Sequence, residues 1–258
     1  MRARKIVEKI AVTAVFAAGI LTMWQVEERQ EEVQARKAAG AKAQVKQMQE
    51  EKPQEKQEEK QAKATSPAIS PKLMPYVLKN QDVIGYIEIP DTNVDYPVLM
   101  GEDNQYYLSH DIDGNEEKAG CIMADHNYQG SDIREQFLRH TLIYGHYLKS
   151  KKMFTSVAKY KDEEFFKKHP YLYFGNLKET GKWKVFSVYV LNADKETIPR
   201  TFDDDKEYIS FLKKIKARSW YSADDVALTK DSKILTLCTC SYETKNSRAI
   251  VHAVLVDE

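Results

Sequence analysis

The chain has 258 residues, of which 42% are hydrophobic and 30% are charged, so it is long enough for one sizeable core and an appendage. Its formal net charge of +0 offers no overall argument for nucleic-acid binding. Three cysteines cannot all pair with one another, which argues against a disulfide-stapled fold and favours a single functional thiol.

The N-terminal end combines a basic flank with an apolar run that extends from Ile10 to Trp24. This run is about fifteen residues long, whereas a transmembrane helix needs roughly twenty. Adding Ile6 and Val7, with the charged end of Lys9 reaching toward the headgroups, brings the run close to a full span. The basic flank places this end in the cytoplasm and the rest of the chain outside. The basic flank consists of Arg2, Arg4, Lys5 and Lys9.

A cleaved signal peptide is the alternative interpretation, since Ala17-Ala18-Gly19 offers small residues for a cleavage site. The apolar run continues past these residues as far as Trp24, which favours an uncleaved anchor. We therefore predict that residues 1–26 form a cytoplasmic flank and a single transmembrane signal-anchor. The predicted location is the cell membrane, crossed once, with the folded domain extracellular.

Residues 27–71 are predicted to form a charged stalk or linker. No aromatic residue occurs between Trp24 and Tyr76, and Glu, Lys, Gln and Ala dominate the segment. Such a composition cannot bury enough apolar area to fold as a domain, although it favours a solvated helix as far as Pro53. A disordered linker is the alternative. Prolines then mark the domain boundary, and they are Pro67, Pro71 and Pro75.

Residues 72–258 are predicted to form one domain that is mainly β with peripheral helices. Short runs rich in β-branched and aromatic residues are bounded by turn signals, and residues 183–191 suggest burial on both faces, as in a small barrel. The predicted strands are Val83–Ile89, Val94–Met100, Gly120–Ala124, Thr141–Tyr144, Tyr171–Phe174, Trp183–Leu191, Ile234–Cys240 and Ala249–Val256. The predicted helices are Leu73–Lys79, Met153–Tyr160, Asp162–His169 and, approximately, Asp203–Ala217.

The longest predicted helix carries one apolar face, which indicates core packing. Its members are Tyr208, Phe211, Leu212 and Ile215. The preceding acids, Asp203-Asp204-Asp205, suit the positive end of a helix dipole, and we favour this interpretation over a calcium site.

Cys240 is the candidate nucleophile, because it ends the strand Ile234–Cys240 and should lie at the mouth of that strand. After a polar turn, Arg248 opens the next apolar run, so adjacent strands could hold a thiol beside a guanidinium. A nearby cation favours the thiolate, and Arg can hold a substrate carbonyl or a developing oxyanion.

His146 is the candidate acid and base, because Gly145-His146 follows a predicted strand at its end. His126 competes for this role, but it lies in a loop without a following apolar anchor. The remaining histidines are predicted at the surface, namely His110, His140 and His169, or within the last strand, namely His252.

No metal or cofactor is expected. No pair of His and Cys shows finger-like or helical ligand spacing. Cys238-Thr239-Cys240 could chelate a soft metal, but the metal would then occupy the nucleophile. Cys121 is predicted to be a small buried hydrophobe, with a redox role as the alternative.

The chain resembles the sortases of Gram-positive bacteria over roughly residues 72–258. Three separated motifs occur in the order of that family: Tyr-Gly-His at 144–146, Thr-Leu-x-Thr-Cys at 236–240, and Arg248. The resemblance is greatest to class B. The supporting features are Asp103-Asn104 through Tyr107-Leu108, the His146-Tyr147 turn followed by Met153-Phe154, and a helical insert before the cysteine strand.

This resemblance implies a closed eight-stranded β-barrel and a cysteine transpeptidase. Cys240 would be the nucleophile, His146 the general acid and base, and Arg248 the substrate or oxyanion clamp. The implied substrate-binding residues are Asn104, Leu108, Ile198, Cys238 and Ser241. From the residues alone, Asn104 as a helix cap and Leu108 as a core residue are equally good interpretations.

The implied partners are a C-terminal sorting signal of a secreted surface protein and an amine of peptidoglycan or its lipid-linked precursor. Cys238 and Ser241 depart from the class B pattern, which usually has a small hydroxyl residue and often an acidic residue at these positions. A secreted cysteine peptidase is the alternative, but it normally needs an Asn or Asp that orients the histidine. A non-catalytic wall-binding module is the second alternative, and it would not need Cys240 or His146.

Overall fold

The computed structural model describes residues 71–256, and its eight strands form one closed barrel. The strands are β1 (Val83–Glu88), β2 (Asp95–Leu99), β3 (Ile122–Ala124), β4 (His140–Tyr144), β5 (Tyr171–Gly175), β6 (Thr180–Asn192), β7 (Ile234–Cys240) and β8 (Ser247–Val256). Around the barrel they follow the order β1-β2-β3-β4-β7-β8-β6-β5. The predicted mainly-β fold and eight-stranded barrel are confirmed.

Within residues 71–256, three α-helices lie outside the strands: α1 (Met74–Lys79), α2 (Glu163–Lys168) and α3 (Asp205–Ala217). The predicted helix over 153–160 is reduced to a 3-10 segment, Val157–Lys161. Acidic side chains start the two later helices. Asp162 accepts a hydrogen bond from the Phe165 amide, and Asp204 accepts one from the Glu207 amide. Both acids therefore cap the helices that they precede.

The core is continuous along β6, β7 and β8, and the apolar face of α3 contributes to it. Trp183 on β6 is fully buried, and its ring meets the edge of the Phe137 ring at 5.1 Å between centroids. Its indole N–H donates to the Phe174 carbonyl at 3.2 Å, which satisfies the one polar atom of that side chain. The four predicted core residues of α3 are all buried.

Two histidines predicted at the surface are buried instead. His140 is only 2% exposed, and its Nε2 lies 2.8 Å from Thr236 Oγ1. Thr236 in turn bonds His252, and His252 bonds the Tyr189 hydroxyl, so a polar chain crosses β4, β7, β8 and β6. His169 is also buried, with Nδ1 3.1 Å from the Pro90 carbonyl. The prediction was wrong because each ring finds a polar partner that is distant in sequence.

The predicted anchor over 1–26 lies outside the described residues, as does nearly all of the predicted stalk over 27–71. Between residues 71 and 256, none of the helices combines the length and the apolar character needed to cross a bilayer.

Candidate active site

The register of three neighbouring strands brings the predicted catalytic residues to one edge of the barrel. β4 runs parallel to β7 with Tyr144 opposite Cys238, and β7 runs antiparallel to β8 with Cys240 opposite Arg248. The hydrogen bonding between these two strands continues one residue past the end of β4, because the Gly145 amide donates to the Cys238 carbonyl at 3.2 Å. His146 therefore follows at the level of Cys240. All three side chains are partly exposed.

His146 is oriented by the main chain of another segment. Its Nε2 lies 2.8 Å from the Leu108 carbonyl oxygen. A carbonyl oxygen can only accept a hydrogen bond, so Nε2 carries the hydrogen in this contact. The contact does not involve Nδ1, the other ring nitrogen. Backbone carbonyls have no sequence signature, which explains why no orienting partner was predicted.

Gly145 has no side chain, which allows the backbone before His146 to pass close to Ile122 and Phe154. A Cβ at this position would lie 2.5 Å from Ile122 Cδ1 and 2.6 Å from Phe154 Cγ, closer than real contacts permit. Beyond it, the His146 carbonyl accepts a hydrogen bond from the Phe154 amide at 2.9 Å. The backbone on both sides of the histidine is thus held against the barrel.

The turn between Cys240 and Arg248 is closed by polar side chains. Lys161 Nζ donates to Ser241 Oγ at 2.9 Å and to Glu243 Oε1 at 2.5 Å. Partial burial alone would raise the pKa of Glu243, but the hydrogen bonds from Lys161 and Ser241 lower it. Next in the turn, Tyr242 is 73% exposed and meets Tyr147 edge-on, with 5.3 Å between ring centroids.

The residues implied as substrate contacts occupy different environments. Leu108 is 39% exposed beside His146 and so does not belong to the core. Asn104 does not cap the following 3-10 turn, since Asp103 accepts from the amides of that turn. Its side-chain oxygen accepts instead from the His126 amide at 2.8 Å. The other three are buried, and they are Ile198, Cys238 and Ser241.

The two remaining thiols differ from Cys240 in their surroundings. Cys238 lies behind the nucleophile on the same strand face, and burial raises its pKa to about 12 although Arg248 opposes the shift. Cys121 is half-buried, its Sγ donates to the His110 carbonyl, and burial raises its pKa to about 12. Both thiols are therefore protonated at neutral pH.

A buried charge network beside the site was not predicted from the sequence. Asp125 is fully buried and accepts from Arg200 Nε at 2.9 Å and from the Tyr144 hydroxyl at 2.7 Å. Burial alone would raise its pKa, but hydrogen bonds from Tyr144, Asn127 and Arg200 lower it to about 2. No local pattern links Asp125 to a partner 75 positions away.

Comparison with known proteins identifies similar chains. A family model described as the sortase domain matches residues 87–256. Sortase B of Listeria monocytogenes is 32% identical over 179 residues, which is 69% of this chain and 71% of that protein. Sortase B of Staphylococcus aureus is 30% identical over 179 residues, with the same coverage of both chains.

Solved structures give the same result. Sortase B of Clostridium perfringens matches with a TM-score of 0.66 and 29% identity, over 71% of this chain and 99% of that one. A complex of Bacillus anthracis sortase B matches with a TM-score of 0.64 and 38% identity, over 71% and 83%. A Staphylococcus aureus sortase B–substrate complex matches with a TM-score of 0.66 and 28% identity, over 73% and 86%.

Proposed function

The chain belongs to the sortase family of cysteine transpeptidases and is most like class B, and from this premise we propose that Cys240, His146 and Arg248 carry out the reaction. The observation that carries the proposal is the strand register: Cys240 lies opposite Arg248, and β4 delivers His146 to the same edge of the barrel. The proposed donor is the C-terminal sorting signal of a secreted surface protein. The proposed acceptor is an amine of peptidoglycan or its lipid-linked precursor.

In the first half-reaction, the Cys240 thiolate attacks a backbone carbonyl of the sorting signal, and Arg248 donates hydrogen bonds to the carbonyl oxygen as negative charge develops. Protonated His146 gives its proton to the departing amine, which leaves a thioacyl enzyme. In the second half-reaction, the acceptor amine attacks the thioacyl carbon, His146 takes up the proton, and the thiolate leaves.

The roles of Arg248 and His146 are supported by their surroundings. Arg248 is the second residue of β8, lies opposite the nucleophile and is partly exposed, so it can meet a substrate oxygen. The Leu108 carbonyl takes the place of the Asn or Asp that orients a catalytic histidine in many cysteine enzymes.

Incubation of the full-length protein with a library of Thr-containing pentapeptides and several amines tests this function. We expect ligated products detectable by mass when an amine is present, with slow hydrolysis in its absence. Equal hydrolysis with and without amines would instead indicate a cysteine peptidase. Failure of a thiol-directed sorting-peptide probe to label the protein would favour a non-catalytic wall-binding module.

We also propose that residues 1–26 anchor the enzyme in the cell membrane and that 27–71 hold the catalytic domain outside the cell. The support is the basic flank followed by the apolar run Ile10–Trp24. Cell fractionation should find the full-length chain with the membrane and a chain lacking residues 1–26 in the soluble fraction. Recovery of both chains in the soluble fraction would contradict the anchor.

A further inference from the structure

Two segments that carry proposed substrate contacts are tied to the same two residues after β3, Asp125 and His126. On one side, Asn104 Oδ1 accepts a hydrogen bond from the His126 amide at 2.8 Å. On the other side, Arg200 Nε donates to Asp125 Oδ2 at 2.9 Å. Arg200 lies two positions after Ile198, the residue proposed to contact substrate in the β6–β7 connection.

The Asp125 carboxylate is built to stay charged. It has no exposed surface, and besides Arg200 it accepts from the Tyr144 hydroxyl at 2.7 Å and from the Asn127 amide at 3.0 Å. The Asn127 side chain adds a further bond at 2.6 Å. These bonds lower its pKa to about 2 in spite of burial, so the group is an anion throughout the neutral range.

A buried anion makes its cation hard to displace. If Arg200 moved away, the carboxylate would lose its only ion-pair partner of fixed charge among residues 71–256. The neighbouring His126 ring lies 3.8 Å from Asp125, beyond hydrogen-bond reach. The position of the β6–β7 connection at residue 200 is therefore coupled to the charge of Asp125.

Tyr144 links the Asp125–Arg200 pair to β4, the strand that precedes His146. Tyr144 is the last residue of β4, two positions before His146, and its hydroxyl lies 3.4 Å from Arg200 Nη2. Burial and the adjacent Asp125 raise the pKa of the Tyr144 hydroxyl, so it remains a hydrogen-bond donor to the carboxylate. Within residues 71–256, no side chain of these three residues hydrogen-bonds to Cys240, His146 or Arg248.

We propose that Asp125, Arg200 and Tyr144, which we call the Asp125 clamp, are positioning residues that set the separation of the two groove walls and so the affinity for the sorting peptide. Among the described residues, the clamp makes no hydrogen bond to the nucleophile or to the other proposed catalytic side chains. Its loss should weaken binding of the peptide while leaving the chemistry of the bound complex intact. The inference rests on the proposed function, because the groove is defined by it.

Steady-state kinetics of the full-length protein with a sorting peptide and an amine test the clamp. Arg200→Gln removes the ion pair, and Tyr144→Phe removes one hydroxyl while keeping the ring. We expect KM for the peptide to rise about tenfold in Arg200→Gln and less in Tyr144→Phe, with kcat within about twofold of the wild type. Arg200→Lys, which keeps the charge, should recover part of the affinity.

Arg218→Gln is the matched control. Arg218 directly follows α3 within the same β6–β7 connection. It pairs with Glu196 at 2.6 Å and is 29% exposed, compared with 30% for Arg200. Its partner makes no contact with Asp125–His126 among the described hydrogen bonds. We expect its KM to match the wild type. An unchanged KM in folded Arg200→Gln, or an equal rise in Arg218→Gln, would overturn the proposal.

Amide hydrogen exchange over residues 198–204 separates failure of the clamp from failure of the proposed function. Wild-type protein that transfers no peptide would refute the function, yet the exchange measurement would still decide the clamp. Faster exchange of this segment in Arg200→Gln than in the wild type and Arg218→Gln supports the clamp. Unchanged exchange in Arg200→Gln would overturn it, and Arg200→Lys serves the same comparison if Arg200→Gln does not fold.

Discussion

At the scale of single residues, the arrangement of His146 depends on neighbours that have no reactive group of their own. The Leu108 carbonyl fixes one ring nitrogen, and Gly145 lets the chain pass close to Ile122 and Phe154. Such support matters because a reacting group displaced by about 1 Å can lose on the order of a hundredfold in rate. The arrangement of His146 is therefore testable through substitutions at neighbouring, non-catalytic positions.

Gly145→Ala should lower transfer activity at least tenfold and destabilise the fold by about 1–3 kcal/mol, because the new methyl group would overlap Ile122 and Phe154. Activity assays combined with thermal unfolding measure both effects. Gly130→Ala is the control, because a Cβ there meets nothing within 4 Å and only its positive φ of 77° is strained. Activity of Gly145→Ala equal to that of the control would contradict the tight approach.

The three thiols should react at different rates with iodoacetamide at pH 8. The pKa values of Cys121 and Cys238 are both raised to about 12, about four units above that pH, so each is a thiolate only on the order of 0.01% of the time. We expect mass mapping of the native protein to find the label on Cys240. Labelling of Cys238 at a comparable rate would show that its surroundings are wetter than the structure indicates.

At the scale of the elements, β4, β7, β8 and β6 are joined by side chains as well as by backbone. His140, Thr236, His252 and Tyr189 form the buried polar chain that crosses these strands beneath α3. Burial lowers the pKa of His140 to about 4 and lowers that of His252 well below its usual value. Both rings are therefore neutral at physiological pH.

Because His140 and His252 are buried and neutral, we expect the protein to lose stability in mild acid. Between pH 6.5 and 4 the unfolded chain binds protons that folded His140 does not, so the free energy of unfolding falls as the pH falls. A pKa lowered from 6.5 to about 4 corresponds to a loss on the order of 3 kcal/mol, nearly complete at pH 4. Asp125, with a pKa of about 2, adds its own loss only below its unfolded value near 3.8.

Urea unfolding followed by tryptophan fluorescence, to which buried Trp183 contributes, measures this dependence at pH 7, 5.5 and 4.5. His140→Gln keeps a polar side chain but cannot titrate, so its stability should depend less steeply on pH than that of the wild type. Part of the slope should persist, because His252 is still present. Identical slopes in the two proteins would show that His140 does not control the acid response.

At the scale of the whole molecule, the strands were predictable because their signals are local. Alternating apolar residues and turn signals located all eight strands, and Ile234–Cys240 was predicted with the bounds that the structure has. The ends of β6 were not predicted, because pairing with β5 and β8 extends this strand from Thr180 to Asn192. Closure of the barrel came from the family resemblance and not from periodicity.

Contacts between distant parts of the chain set the limit of prediction for the site. Cys240 and Arg248 could be paired in advance because only a turn separates their strands. The Leu108 carbonyl and the Asp125–Arg200 pair could not, because a main-chain acceptor and an ion pair across 75 positions leave no periodic trace. Burial of His140 and His169 was mispredicted for the same reason.

The most direct test of the account is the mass of the intact protein after mixing with a sorting peptide. Wild-type protein should gain the mass of a thioacyl adduct and release it to an added amine. Cys240→Ala should form no adduct and transfer nothing while its unfolding temperature stays close to that of the wild type, and Cys121→Ala should behave like the wild type. Full transfer activity in Cys240→Ala would contradict the assignment of Cys240 as the nucleophile.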